Sequence, residues 1–279
     1  MSAVDDGATD VDAQTPTTPR DRRLTATGLL GDAARRAGRS PVLLLPFLVA
    51  GLVLAGVDYL RVRDPVPVQV TPYSLSEGFT VRASLYPTGT SRTTTALDAL
   101  VDLKLQYLAW VVGLELLSVL AVVVAGGVVV ARVTDVPLSV GSVVRYGAFV
   151  VALAAVPSVN FSGASAVVGL VLLVPAYYVS VRLFALPALL IRGDGFRTAA
   201  RRSWTLVAGI GWSVFGLLVA LGVVYSLSAL VPVVGPALST TVAGTLHAVA
   251  LGLLVDRARS GLNAAGASNA TTNPANPSD

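Results

Sequence analysis

Two side chains combine reactive chemistry with a setting where polar groups are costly. Glu115 lies inside the apolar run WVVGLELLSVLAVVV, and His247, the single histidine, lies inside TVAGTLHAVALGLL. A carboxyl in hydrocarbon is expensive unless it is paired, protonated or facing a polar cavity. Each residue stands ten positions from the outer start of its expected helix, which at 1.5 Å per residue is ~15 Å of depth. The equal depths predict a Glu115–His247 contact near mid-membrane. Such a pair would serve as a proton or cation relay, or as one polar contact joining two helices.

Two further constellations stand out. Thr240, Gly244, Ala248 and Gly252 recur every fourth residue, a small-residue stripe that lets helices approach closely, either within the chain or across a homodimer. Arg201, Arg202 and Trp204 form a cluster at the start of an apolar run. Arginine snorkelling and tryptophan at headgroup depth would anchor the chain there, and the same groups suit recognition of anionic lipid phosphate.

Other chemistry is excluded more easily than included. With no Cys and one His, the chain has no disulfide, thiolate metal site, Cys nucleophile or multi-His metal motif. It carries no GxSxG, P-loop or GxGxxG after a strand. No catalytic residue, metal ligand or cofactor site is therefore assigned. A nucleic-acid partner is not expected either, since the basic residues form no aromatic-interleaved patch on a soluble module. Membrane lipids are the expected partners.

The elements that must position these residues are membrane helices. Of 279 residues, 54% are hydrophobic and 13% charged, against about a quarter charged in soluble proteins. Several apolar runs reach the ~20 residues that span a bilayer. The expected fold is all-α and polytopic, with six spans at about 41–60, 105–131, 143–159, 164–185, 205–230 and 237–255. Residues 1–23 and 260–279 are polar, low in apolar residues, and read as disordered tails around a membrane domain at 24–259. The long polar stretch before residue 41 argues for a retained first helix rather than a cleaved signal.

The one sizeable polar insertion is 61–104. VPVQVTPY and FTVRASLY alternate and suggest a small hairpin. TTTALDALVDLK follows, with Thr95 and Asp98 resembling a capping box, and is expected to run as helix into the second span. Near residue 187, Pro187 and the Gly193-Asp194-Gly195 turn are expected to hold ALPALLIRGDG at the interface rather than in a span.

Charge sets the orientation. With the N-terminus inside, fifteen of the 20 basic residues fall on the inner side. The other five (Arg61, Arg63, Arg82, Arg92 and Lys104) all lie in the long outer loop. The positive-inside bias therefore predicts a cell-membrane protein with both termini cytoplasmic. That places the sequon at Asn269 inside, and leaves the one at Asn160 in a tight outer turn.

Each outward-going span has a basic lead: GDAARRAGRSPVLLL, RVTDVPLSVGSVVRYGAFV and RGDGFRTAARRSWTLVAG. The first and third share Gly-Asp, then Ala-Ala-Arg-Arg, then an apolar run. Three helical-hairpin repeats would produce this pattern, and so would the positive-inside rule acting alone.

The stretch ALPALLIRGDGFRTAARRSWTLVAGIGWSVFGLLVALGVV, residues 185–224, resembles the membrane domain fused to some glycerophosphoryl diester phosphodiesterases and its stand-alone prokaryotic relatives. Ala199, Arg202, Ser203 and Trp204 match that family's A-x-x-R-S-W lead. The resemblance implies a six-helix membrane domain without the soluble phosphodiesterase barrel, so it does not imply diester hydrolysis. The Arg-for-Lys bias, with a single lysine, resembles the composition of halophilic archaeal proteins. The expected function is a non-enzymatic scaffold or lipid-interacting membrane domain. The alternative is a small transporter with Glu115 and His247 lining a polar path.

Overall fold

A computed structural model describes residues 25–70, 84–95, 103–154 and 165–271. These residues are mostly helical. In chain order the helices are α1 (Ala26–Arg39), α2 (Leu45–Arg63), α3 (Leu105–Val133), α4 (Val140–Ala154), α5 (Ser165–Leu183), α6 (Leu186–Ile191), α7 (Phe196–Leu206), α8 (Gly211–Ala229) and α9 (Gly235–Thr271). One 3-10 turn, Pro41–Leu43, leads into α2.

Five stretches are long and apolar enough to cross a membrane: Pro41–Arg63, Leu105–Val133, Val174–Ile191, Gly211–Ala229 and Gly235–Ser260. This is a multi-pass arrangement. The expected third span is the shorter α4, 15 residues long, which at 1.5 Å per residue reaches ~22 Å of a ~30 Å core. Residues 155–159, where that span was expected to end, lie outside the described residues.

The helix at the centre is α9. It packs against α1, α2, α3 and α8, and 83% of its apolar window is buried, against 33–50% in the other four. Lipid tails are as apolar as the helices, so close van der Waals contact must hold such a bundle together. The small-residue stripe provides it. A methyl group on Gly244 would lie 2.6 Å from Phe47 of α2, and one on Gly252 would lie 2.6 Å from Val133 of α3. Thr240 and Ala248 are fully buried. From the α2 side, Gly51 meets the backbone of Ala237 in the same way. The stripe is therefore used for packing within the chain.

Two leads form separate amphipathic helices. In α1 the buried positions are Leu29, Ala33 and Ala37, four residues apart and so on one face. In α7 they are Ala199 and Ser203. When Ala33-Ala34-Arg35-Arg36-Ala37 is set against Ala199-Ala200-Arg201-Arg202-Ser203, the same first and fifth positions face the bundle. The middle lead differs: residues 134–139 form a turn and α4 begins directly at Val140. No lead helix repeats there, so the threefold pattern reduces to two matched leads.

Several boundaries need correction. The fifth span begins at Gly211 rather than 205, because α7 runs to Leu206 and the chain turns through Gly209 at φ +89. That positive φ suits a residue without Cβ. Pro187 does not break the apolar stretch, which runs Val174–Ile191 and includes most of the segment expected at the interface. It sits at the start of α6, where a missing N–H costs nothing, and all six residues of α6 are buried.

The outer insertion also differs. Gln69–Val70 pairs antiparallel with Thr93–Thr94; the expected hairpin of VPVQVTPY with FTVRASLY falls largely on residues 71–83, which lie outside the described residues. Thr93 and Thr94 are extended rather than helical. Lys104 is extended and caps α3, so no helix runs continuously into the second span. Asp98, half of the expected capping box, lies outside the described residues.

If the α9 stripe is a packing device, Gly244→Ala should destabilise the protein by roughly 1–3 kcal/mol through overlap with Phe47. Gly113→Ala on α3, where an added Cβ meets nothing within 4 Å, should leave stability in place. Thermal unfolding in detergent measures both, and equal effects would refute the assignment.

Candidate functional site

Polar side chains gather at the two ends of the bundle. At the end where 84–95 lies, Asp58 and Arg61 occupy one face of α2, three residues apart, and both are buried. Asp58 accepts from Ser91 Oγ at 2.5 Å, Arg92 N–H at 2.8 Å, Thr93 N–H at 3.2 Å and Thr93 Oγ1 at 2.6 Å. Arg61 donates to Thr93 O at 3.2 Å and pairs with Glu115.

The same segment reaches α8 and α9. Thr88 N–H donates to the Tyr225 hydroxyl at 3.0 Å, and Thr90 N–H donates to Thr240 Oγ1 at 2.9 Å. Thr90 and Ser239 hydroxyls share a bond of 3.0 Å. Between them, Gly89 packs so tightly against Leu54 and Val122 that no Cβ would fit. Non-helical backbone among membrane helices is tolerated only when its polar groups are satisfied by protein or water, and Asp58, Thr240 and Tyr225 satisfy these.

Glu115 and His247 are not brought together. Glu115 bonds Arg61, and its side chain is 64% exposed. The depth argument fails because α3 has 29 residues, ~43 Å of helix against a ~30 Å hydrocarbon core. Its first ten residues therefore run past the level of Arg61, and Glu115 sits near the end of α2 instead of at mid-membrane. His247 is fully buried. Its ring stacks on Phe184 with centroids 5.5 Å apart and meets the edge of Tyr225 at 6.2 Å. Neither ring nitrogen has a hydrogen-bond partner among the described residues. It packs there as an aromatic ring.

At the opposite end, basic groups converge. Asp32 of α1 pairs with Arg35 on its own helix and Arg257 of α9. Asp194, just before α7, pairs with Arg202 of α7 at 2.8 Å and Arg259 of α9 at 3.8 Å. The two matched leads thus use the same device: one carboxylate joining an arginine of the lead to an arginine of α9. The hydrogen bond from Arg257, with Arg35 assisting, holds the Asp32 carboxyl below its ordinary value of 3.8.

Of the three expected lipid contacts, Arg201 and Trp204 are exposed, whereas Arg202 is engaged with Asp194. Trp204 meets Tyr178 edge-on at 5.8 Å, and Arg182 lies 5.3 Å over the Trp204 ring. Both are suited to the headgroup layer. Ser203, matched in the family-like lead, donates to the Arg182 carbonyl at 2.7 Å and so ties α7 to the end of α5.

In the sequence Asp58 carries no mark, Arg61 counts only as an outer charge, and Asp32 and Asp194 stand out only in the Gly-Asp shared by two leads and in the Gly193-Asp194-Gly195 turn. The i, i+3 spacing of Asp58 and Arg61 at the end of an apolar run was the available signal for the first pair. Among the described residues no group of three or more His, Asp or Glu is placed to hold a metal. No protein-family model, curated protein or solved structure matches the chain.

Two outcomes test these arrangements. Asp58→Ala leaves buried donors unpaired, at roughly 1–3 kcal/mol. It should speed hydrogen exchange at the Arg92 and Thr93 amides, which donate to Asp58, and unchanged exchange there would refute the anchor. For Asp32, a depressed folded pKa gives stability that is present above the unfolded value of 3.8 and lost as pH falls through the folded pKa. Asp32→Asn should therefore lower Tm at pH 7 and become indistinguishable from the parent in acid below that value. A difference that persists in acid would argue against the ion pair.

Proposed function

We propose that the chain is a non-enzymatic membrane domain that serves as a helical scaffold and engages lipid at its basic end. The observation that carries this reading is the pair of amphipathic leads, α1 and α7. Both bury one small-residue face and present arginines on the other, and both are tied by a carboxylate to arginines of α9. Basic residues along an interfacial helix attract anionic lipid by about 1 kcal/mol each. With both termini cytoplasmic, as the charge bias favours, this end faces the anionic inner leaflet.

A relationship to the phosphodiesterase-associated membrane domains fits the same picture. The lead residues that carry the resemblance have structural work here. Ala199 and Ser203 face the bundle, Arg202 holds Asp194, and Trp204 lies against Tyr178. Transport through a Glu115–His247 path has less support, since those residues bond and pack separately.

The protein reconstituted in mixed phosphatidylcholine and phosphatidylglycerol should co-purify with an excess of phosphatidylglycerol. The triple variant Arg39→Gln, Arg197→Gln, Arg201→Gln should lose most of that excess, read by mass spectrometry of bound lipid. Proton flux in proteoliposomes that is abolished by Glu115→Gln or His247→Ala would overturn the reading in favour of transport.

A further inference from the structure

Around the turn between α6 and α7, positive charge exceeds what the protein neutralises. Arg145 of α4 lies against this turn, its guanidinium 3.9 Å from where a Cβ on Gly193 would stand. Arg192 is the next residue to that glycine and interacts with Arg259, Asp256 and Asp194. Asp194 is already shared by Arg202 and Arg259. Four guanidiniums, Arg145, Arg192, Arg202 and Arg259, therefore stand with two carboxylates, Asp194 and the exposed Asp256.

Among the described residues neither Arg145 nor Arg192 forms an ion pair, and the Nε of each is buried without a hydrogen-bond partner. A buried guanidinium N–H left unpaired is costly, more so than a neutral donor. Burial, and then the neighbouring Arg259, lower the proton affinity of Arg192, as expected of a cation short of a counter-charge. Other arginines of this end, such as Arg197 and Arg201, are simply exposed.

We propose that Arg145 and Arg192, with Arg259 beside them, form a binding site for a phosphate group carried by an anionic lipid or free in solution. The planar guanidinium presents paired N–H donors that match phosphate oxygens two at a time. The α6–α7 turn supplies the open side, because Gly193 at φ +100 has no side chain to fill it. Phosphate would neutralise the excess charge and give the two buried Nε groups acceptors. The site rests on the lipid-engaging reading but is separate from the exposed arginines that carry it.

The test uses the full chain in neutral detergent with two probes, phosphatidic acid and inorganic phosphate. Native mass spectrometry reads retained lipid, and Tm reads phosphate. Loss of two charge-assisted contacts in Arg145→Gln/Arg192→Gln should weaken binding ~10-fold or more. The charge-matched Arg63→Gln/Lys104→Gln pair at the other end should bind as the parent does. Arg145→Lys/Arg192→Lys keeps the charge, guards against a folding defect, and should still bind several-fold more weakly than the parent. Retention of phosphatidic acid alone identifies the lipid as source, and a Tm rise with inorganic phosphate alone identifies the soluble ion. Binding of neither probe, or equal loss in the Arg63/Lys104 control, overturns the site. Because phosphate is read in detergent, that failure is separable from loss of the phosphatidylglycerol excess, which reports on the exposed leads.

Discussion

Close contact along α9 is the constraint on which the rest depends. In a bilayer, apolar side chains gain little by leaving lipid for one another, so helices associate by fit. Gly244 against Phe47 and Gly252 against Val133 set how near α2 and α3 can come. Gly51 against Ala237 does the same from the other side. Once α9 is enclosed, α2, α3 and α8 are left with one face toward it and another toward lipid. That explains how an apolar surface such as Leu48, Val49 and Leu52 on α2 remains exposed without being a defect.

The second constraint is hydrogen bonding where water is scarce. A non-helical segment among membrane helices needs a partner for each buried N–H. Residues 88–93 meet that demand from three helices at once: Asp58 of α2, Tyr225 of α8 and Thr240 of α9. Thr240 serves twice, since it lies in the small-residue stripe and also accepts from Thr90. Its hydroxyl donates to the Pro236 carbonyl, which leaves an oxygen lone pair for the incoming amide. Arg61 closes the arrangement by taking the Thr93 carbonyl on one side and Glu115 on the other.

What was legible in the sequence follows from these physics. Apolar run length is a local property, so five membrane-length stretches were readable, although one lies at Val174–Ile191 rather than 164–185 and the expected third span is the shorter α4; four-residue spacing of small side chains is local too. Helix ends were less readable: α7 and α8 are separated by a turn through Gly209, while composition runs on smoothly from Arg202 to Leu221. Depth misled because it was counted from the start of α3, and only the partner, Arg61, reveals that this helix overshoots. The anchoring of 84–95 was not readable, because Asp58, Tyr225 and Thr240 lie 34 to 150 residues away from the amides they hold. No local pattern encodes that pairing.

The resemblance between the first and third leads deserves a physical reading beyond inward charge. The positive-inside rule asks only for arginines near a span and is indifferent to their phase. Here the phase matches: Ala33 and Ala37, like Ala199 and Ser203, turn small side chains inward four residues apart. Asp32 and Asp194 each link a lead to α9, through Arg257 and Arg259. Two positions apart on one helix lie well around its circumference from each other, so one short Arg-x-Arg sequence reaches both leads. Charge bias alone does not call for a carboxylate in either lead, since the rule counts Lys and Arg and is nearly indifferent to Asp. The aspartates make sense as the joints that hold two amphipathic helices to the central one. Among the described residues no such joint reaches Arg145 or Arg192: neither forms an ion pair, and the carboxylate nearest the α6–α7 turn, Asp194, is held by Arg202 and Arg259.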